Sequence, residues 1–213
     1  MDILPEDLQK YLDFHTDDES ELLAAIDRDT HLNVMLPRML SGHFQGRCLS
    51  MLSKLMAPQT ILEIGTYTGY SALCLAEGLP STGKLISIDV NEELESKILS
   101  HWKQHEKYSQ MELKIGHAVE LIPMLPSPSF DLVFIDADKK NYSVYYDLVI
   151  DRVPSGGVIL ADNVLWSGKV YSESEKDKDT MAMRAFNDKV TQDKRVEKII
   201  LPIRDGVFMI RKK

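Results

Sequence analysis

The chain has 213 residues, 44% of them hydrophobic and 27% charged, with 11 Gly and 9 Pro scattered along it, a balance that excludes a disordered or collagenous polypeptide. A chain of this length buries roughly 70% of its unfolded surface on folding, so a core forms without disulfides or structural zinc, and Cys48 and Cys74 read as small buried hydrophobes of a reducing compartment. A formal net charge of −8 repels a phosphate backbone and sets nucleic acid aside as a partner.

The first residues, Met1-Asp2-Ile3-Leu4-Pro5-Glu6-Asp7, have no basic segment leading into an apolar run and do not read as a secretory signal. No later apolar run approaches the roughly 20 residues of a membrane helix, so a soluble, cytoplasmic protein without a membrane partner is expected. Segments 19–27 and 43–56 read as helices of a cap over residues 1–58, with residues 59–213 as the core of a single domain, 1–213. From residue 60, short apolar runs alternate with amphipathic stretches, the pattern of βα units on a parallel sheet.

Strands are expected at Thr60–Ile64, Lys84–Asp89, 112–115, 130–135 and Val158–Ala161. They lack polar alternation, as strands covered on both faces do. Helices are expected at 69–78, 92–107, Ala118–Met124, 142–152 and 179–191, with a polar, charge-mixed loop at 172–179. At the end, 196–202 and 207–211 flank Ile203-Arg204-Asp205-Gly206, whose Asp-Gly pair predicts a closing antiparallel hairpin.

The first strand leads into Leu62-Glu63-Ile64-Gly65-Thr66-Tyr67-Thr68-Gly69-Tyr70-Ser71. Gly65 and Gly69 bracket a tight strand-to-helix turn where a ligand can approach the backbone. The spacing is neither the dinucleotide G-x-G-x-x-G nor a phosphate-binding P-loop, and a simple packing turn is the competing reading. Asp89 ends the second strand, where a carboxylate can accept from a ribose diol or cap the helix that starts near Asn91. Glu63, inside the first strand, holds the turn's backbone or nearby polar groups, or else lies at the surface near the sheet edge.

Asp136, at the end of the fourth strand, and Asp162-Asn163, at the end of the fifth, lie at carboxyl ends of parallel strands, where open sheets bind ligands. Two carboxylates and an amide carbonyl suit Mg²⁺ or another hard dication such as Ca²⁺ or Mn²⁺, and not zinc. Taken singly, each acid could start a loop or cap a helix; together they would repel one another unless a cation sat between them. Lys139 could deprotonate a substrate hydroxyl, or it could be a solvated lysine.

The turn 62–71, the segment Asp136-Ala137-Asp138-Lys139-Lys140-Asn141-Tyr142 and the stretch Asp162-Asn163-Val164-Leu165-Trp166-Ser167-Gly168 resemble the cation-dependent O-methyltransferases, the class of the caffeoyl-CoA and catechol enzymes. The resemblance runs from about Met39 to the C-terminus. It implies an α/β, Rossmann-like class I methyltransferase fold: a mostly parallel seven-stranded sheet with a C-terminal antiparallel hairpin and an N-terminal helical cap. It also implies S-adenosylmethionine on Met39, Ser41, Glu63, Gly65, Tyr67, Gly69, Ser71, Asp89, Ala118 and Asp136. A divalent cation falls on Asp136, Asp162 and Asn163, with Lys139 as the catalytic lysine.

The implied reaction is methyl transfer to a hydroxyl of a small aromatic vicinal diol, by an enzyme that forms a homodimer. Asp205-Gly206-Val207-Phe208 stands where the animal catechol enzymes carry a glutamate, and the basic pattern by which plant enzymes reach coenzyme A is not clear around Thr180-Met181-Ala182-Met183. The other readings are a non-catalytic nucleoside-binding module and a nicotinamide-dependent oxidoreductase, the latter disfavoured by the missing G-x-G-x-x-G.

Overall fold

The computed structural model describes residues 5–126 and 129–213. The run Met1-Asp2-Ile3-Leu4, on which the signal-peptide reading rests, lies outside the described residues. The chain carries a seven-stranded, mostly parallel sheet with an antiparallel C-terminal hairpin, and it divides into two compact units, Glu6–His117 and Ala118–Lys213.

The first unit comprises α1 (Glu6–Phe14), α2 (Glu21–Asn33), α3 (Gly42–Met56), β1 (Thr60–Ile64), α4 (Tyr70–Ala76), β2 (Lys84–Asp89), α5 (Glu95–Trp102) and β3 (Met111–Ile115). Its strands run parallel in the order β3-β2-β1. Two expectations change here. The helix predicted over 19–27 continues to Asn33, because its buried face, Leu23, Ile26 and Thr30, ends on a polar residue that donates to Thr68 Oγ1. The helix predicted over 92–107 is a 3-10 turn, Glu92–Leu94, followed by α5, which stops at the fully buried Trp102. Helix α1 escaped the sequence reading because it buries none of its residues.

Helices α3 and α4 meet at Gly46, where an added Cβ would lie 2.7 Å from the Tyr70 ring and 3.0 Å from Cys74 Sγ. Beside that contact, Glu77 accepts from Arg47 (2.7 and 3.1 Å), Ser50 (2.7 Å) and Lys54 (2.7 Å). Cys74 is fully buried and Cys48 partly so, and both are free thiols. Burial pushes the Cys74 thiol up to about 12, so it behaves as an inert apolar group.

The second unit comprises α6 (Ala118–Met124), β4 (Leu132–Ile135), α7 (Tyr142–Ile150), β5 (Val158–Ala161), α8 (Lys178–Gln192), β6 (Val196–Leu201) and β7 (Val207–Lys212). Its strand order is β4-β5-β7-β6: β4 and β5 are parallel, and β7 runs antiparallel to both β5 and β6. Asp177 caps α8 by accepting from Thr180 N at 3.0 Å. Phe186 of α8 meets the rings of Tyr142, Tyr146 and Phe208 edge-on, with centroids 5.3–6.4 Å apart, the arrangement the ring quadrupoles favour.

The polar segment expected at 172–179 is tied down. The Arg184 guanidinium donates to the carbonyls of Val170, Glu175 and Lys169, each at 2.8 Å, and to that of Ser172. A 3-10 segment, Trp166–Tyr171, precedes it. Among the described residues no helix is long and apolar enough to cross a membrane.

Candidate functional site

In the first unit the turn after β1 is built on left-handed backbone. Gly65 has φ +98°, Tyr67 +51° and Gly69 +86°. Gly69 has a second reason to be glycine, since a Cβ there would fall 2.5 Å from the Trp102 indole nitrogen, which donates to Gly69 O at 3.1 Å.

Asp89 braces this turn. Its Oδ2 accepts from Thr66 N (2.9 Å) and Tyr67 N (2.8 Å), and its Oδ1 from Asn91 N (2.8 Å). The capping role falls to Asn91 instead, whose side chain accepts from Glu93 N at 3.1 Å. At Asp89, three of a carboxylate's roughly four lone-pair directions are thus taken by backbone amides.

Glu63 is fully buried, which removes the surface reading. Its Oε1 accepts from Ser71 Oγ at 2.6 Å, its Oε2 accepts from Ser87 Oγ, and Ser87 Oγ is 2.5 Å from Thr66 Oγ1. The carboxylate therefore sits at the end of a hydroxyl chain that reaches the turn and the start of α4. The Tyr67 hydroxyl donates to Met35 O at 2.9 Å, tying the turn to the segment that precedes Met39 and Ser41. Met39 ends a short 3-10 helix and is 53% exposed, whereas Ser41 is buried.

In the second unit Ala118 opens α6 and is buried. Asp136 follows β4, and Asp162-Asn163 follow β5, as expected. Lys139 Nζ donates to Asp136 Oδ1 (3.1 Å), Asn163 Oδ1 (2.8 Å) and Tyr142 Oη (2.7 Å). Asp136, Lys139 and Asn163 thus meet at one nitrogen. Asp162, buried at 2% exposure, joins them through its neighbours: its Oδ1 accepts from Asn163 N at 2.8 Å, and its carbonyl accepts from the Tyr142 hydroxyl at 3.0 Å.

Tyr142 was not singled out in the sequence, where it reads as one more core aromatic. Fully buried, it shares its proton between Asp162 O (3.0 Å) and Ile135 O (3.2 Å), so it joins the ends of β4 and β5. Burial, with the charges of Asp136 and Asp162, holds its phenol well above the usual range, so it remains a donor to those carbonyls and can only accept from Lys139.

The backbone after β5 is strained, with φ of +58° at Asn163, +48° at Trp166 and +54° at Ser167, a concentration of left-handed residues that marks functional sites. The hairpin turn supports it. Asp205 Oδ1 accepts from Ser167 N at 2.6 Å, and the Asp205 and Gly206 carbonyls accept from Leu165 N and Val164 N. Burial raises the Asp205 carboxyl. Asp205 therefore serves to hold this loop.

Two carboxylates and an amide oxygen form a hard donor set, and an ammonium already draws two of those groups onto one point. The residues therefore fit a small dication. Among the described residues no cluster of three His, Cys, Asp or Glu side chains is placed to hold a metal.

The family model for O-methyltransferases matches residues 13–213. A probable caffeoyl-CoA O-methyltransferase 2 of Dictyostelium discoideum is 33% identical over 203 residues, covering 93% of this chain and 88% of its own. A caffeoyl-CoA O-methyltransferase of Mesembryanthemum crystallinum is 35% identical over 185 residues, covering 82% and 73%. Among solved structures, the Bacillus cereus O-methyltransferase in complex with SAH superposes with a TM-score of 0.89 at 26% identity, covering 97% of each chain.

Proposed function

The chain belongs to the O-methyltransferase family of the caffeoyl-CoA and catechol type, and on that premise we propose that it transfers the methyl group of S-adenosylmethionine to one hydroxyl of a small aromatic vicinal diol in the presence of a divalent cation. The observation that carries this reading is the convergence of Asp136 Oδ1 and Asn163 Oδ1 on one cationic nitrogen.

Asp136, Asp162 and Asn163 would hold the dication, which when bound supplies the Lewis acidity that makes one diol hydroxyl easier to ionise. S-adenosylmethionine supplies a methyl group on a sulfonium, an electrophile that needs alignment more than activation. The chain's own residues do the rest. The Gly65–Gly69 turn, braced by Asp89 and by the Glu63 hydroxyl chain, would fix the nucleoside. Lys139 Nζ would take the acceptor's proton. Trp166, whose ring centroid lies 5.9 Å from that nitrogen, would help to keep water from the position, and its buried indole N–H has no partner among the described residues, which leaves a donor for an acceptor oxygen. In-line alignment of two bound reactants can contribute up to about 7–11 kcal/mol.

The test is transfer of labelled methyl from S-adenosylmethionine to a panel of catechols and caffeoyl esters, with EDTA and then with excess Mg²⁺. Turnover is expected to vanish in EDTA and return with Mg²⁺. Undiminished turnover in EDTA overturns the metal-dependent reading.

A further inference from the structure

All three donors of the Lys139 ammonium are spent on Asp136 Oδ1, Asn163 Oδ1 and Tyr142 Oη. An ammonium has three hydrogens and no lone pair, so in this arrangement Lys139 offers no atom that can receive a proton. It sits where two oxygens of the expected metal set converge, its side chain only 10% exposed, and it also lies 4.7 Å from the centroid of the Tyr142 ring. A carboxylate and an amide oxygen brought together at two neighbouring strand ends of this unit, each partly withdrawn from water, need hydrogen-bond donors, and a cation supplies the strongest ones.

We propose that Lys139 is a tethered stand-in for the dication: its ammonium neutralises the ligand oxygens until a metal evicts it, so that metal loading and release of the lysine are a single exchange. The inference rests on the functional reading only for the identity of the incoming ion. Two consequences follow from the shared oxygens. An ion must break the lysine's charge-assisted hydrogen bonds to Asp136 and Asn163 before it can bind, which weakens its affinity. The lysine, in turn, is held as an ammonium while the metal is absent, and only after eviction and loss of one proton to solvent can Nζ take a proton from an acceptor, so a substrate that arrives before the ion meets a site with no base.

The reach of the side chain makes the exchange local. Lys139 lies three residues from Asp136, in a 3-10 turn (Lys139–Asn141) that leads directly into α7. The four-carbon stem can swing without moving β4 or α7, and Tyr142 keeps the strand ends joined through its bonds to the Ile135 and Asp162 carbonyls.

The decisive measurement is Mn²⁺ binding to the full-length protein, followed by electron paramagnetic resonance or calorimetry with no acceptor present. The proteins compared are wild type, Lys139→Met, which removes the charge, and Lys139→Arg, which keeps it, each checked for fold by circular dichroism. Lys139→Met is expected to bind Mn²⁺ at least about tenfold more tightly than wild type, the direction that loss of two charge-assisted bonds dictates, while Lys139→Arg stays within about threefold of wild type or weaker. Equal or weaker binding by Lys139→Met overturns the stand-in while leaving the methyl-transfer reading intact. Absence of Mn²⁺ binding in every form overturns the metal site itself, and the stand-in with it. Should Lys139→Met fail to fold, the Cε resonance of Lys139 in wild type decides: a shift on adding Mg²⁺ supports the exchange, and an unmoved resonance at saturating metal rejects it.

Discussion

Two carboxylates in this protein, Glu63 fully buried and Asp136 partly so, are satisfied in opposite ways. Glu63 receives neutral hydroxyls from Ser71 and Ser87, whereas Asp136 receives a cation, Lys139. A hydroxyl is a short, directional partner that cannot be swapped for an ion, so the Glu63 cluster is a permanent brace under the glycine turn. An ammonium on a flexible stem is one cation among several that could fill the same place. On the proposed function, the contrast separates a group that would shape a binding surface from one that would itself be part of it.

The sharpest way to break that contrast is to neutralise the second carboxylate without changing its shape. Asp136→Asn is expected to lower methyl transfer about 10³-fold or more, since a ligand of the cation that stabilises developing charge is worth several kcal/mol. Steady-state kinetics over a Mg²⁺ series checks it: the apparent metal requirement should rise along with the loss in kcat. Near-normal turnover at ordinary Mg²⁺ would place the ion elsewhere.

Much of this was legible in the sequence because it rested on features that leave a pattern. Apolar runs without alternation located Thr60–Ile64, Lys84–Asp89 and Val158–Ala161 residue for residue, and Asp136, Lys139 and Asn163 stood at strand ends where topology brings ligands. What escaped was polarity spent inward. Ser87 in the middle of an apolar strand looks like any tolerated serine, Thr30 looks like the end of an amphipathic helix, and Tyr142 looks like core. Arg184 gathers backbone carbonyls, and carbonyls are present at every position, so no residue type announces them. The end of α5 was missed for a related reason: Trp102 is buried by tertiary packing, while the charged residues after it continue a plausible helical pattern.

A third carboxylate tests whether cation pairing alone makes a site exchangeable. Glu77 is held by Arg47, Lys54 and Ser50, yet it lies in the packed α3–α4 contact. Burial by itself would raise its carboxyl, but the bonds from Arg47, Lys54 and Ser50 outweigh burial and bring it from an ordinary 4.5 to about 2. Because the folded value is the lower one, Glu77 stabilises fully above about 4.5, and the contribution fades as pH falls toward about 2. Glu77→Gln leaves Arg47 partly buried with its charge unpaired and is expected to cost about 2–3 kcal/mol at pH 7. It should also flatten this acid limb in urea titrations, while Mn²⁺ binding stays at the wild-type value. A change in metal affinity would mean that the three clusters are not independent.

The smallest expected effect falls on the hydroxyl brace. Ser87 is fully buried and gives its single proton to Glu63, so Thr66 must donate to Ser87 across their 2.5 Å contact. Ser87→Ala deletes both bonds, taking one donor from Glu63 and, from the Thr66 hydroxyl, the acceptor it used. The loss of these two bonds is expected to cost about 1–3 kcal/mol. It should appear where the brace acts, as roughly tenfold weaker binding of S-adenosylmethionine, since the Thr66 and Tyr67 amides no longer meet Asp89 on a fixed turn. Calorimetry with S-adenosylhomocysteine measures it directly, and Ser87→Thr, which restores the hydroxyl, should recover most of the affinity. Equal losses of affinity in Ser87→Ala and Ser87→Thr would point to lost space rather than lost donation, and the hydroxyl chain would then be packing and nothing more.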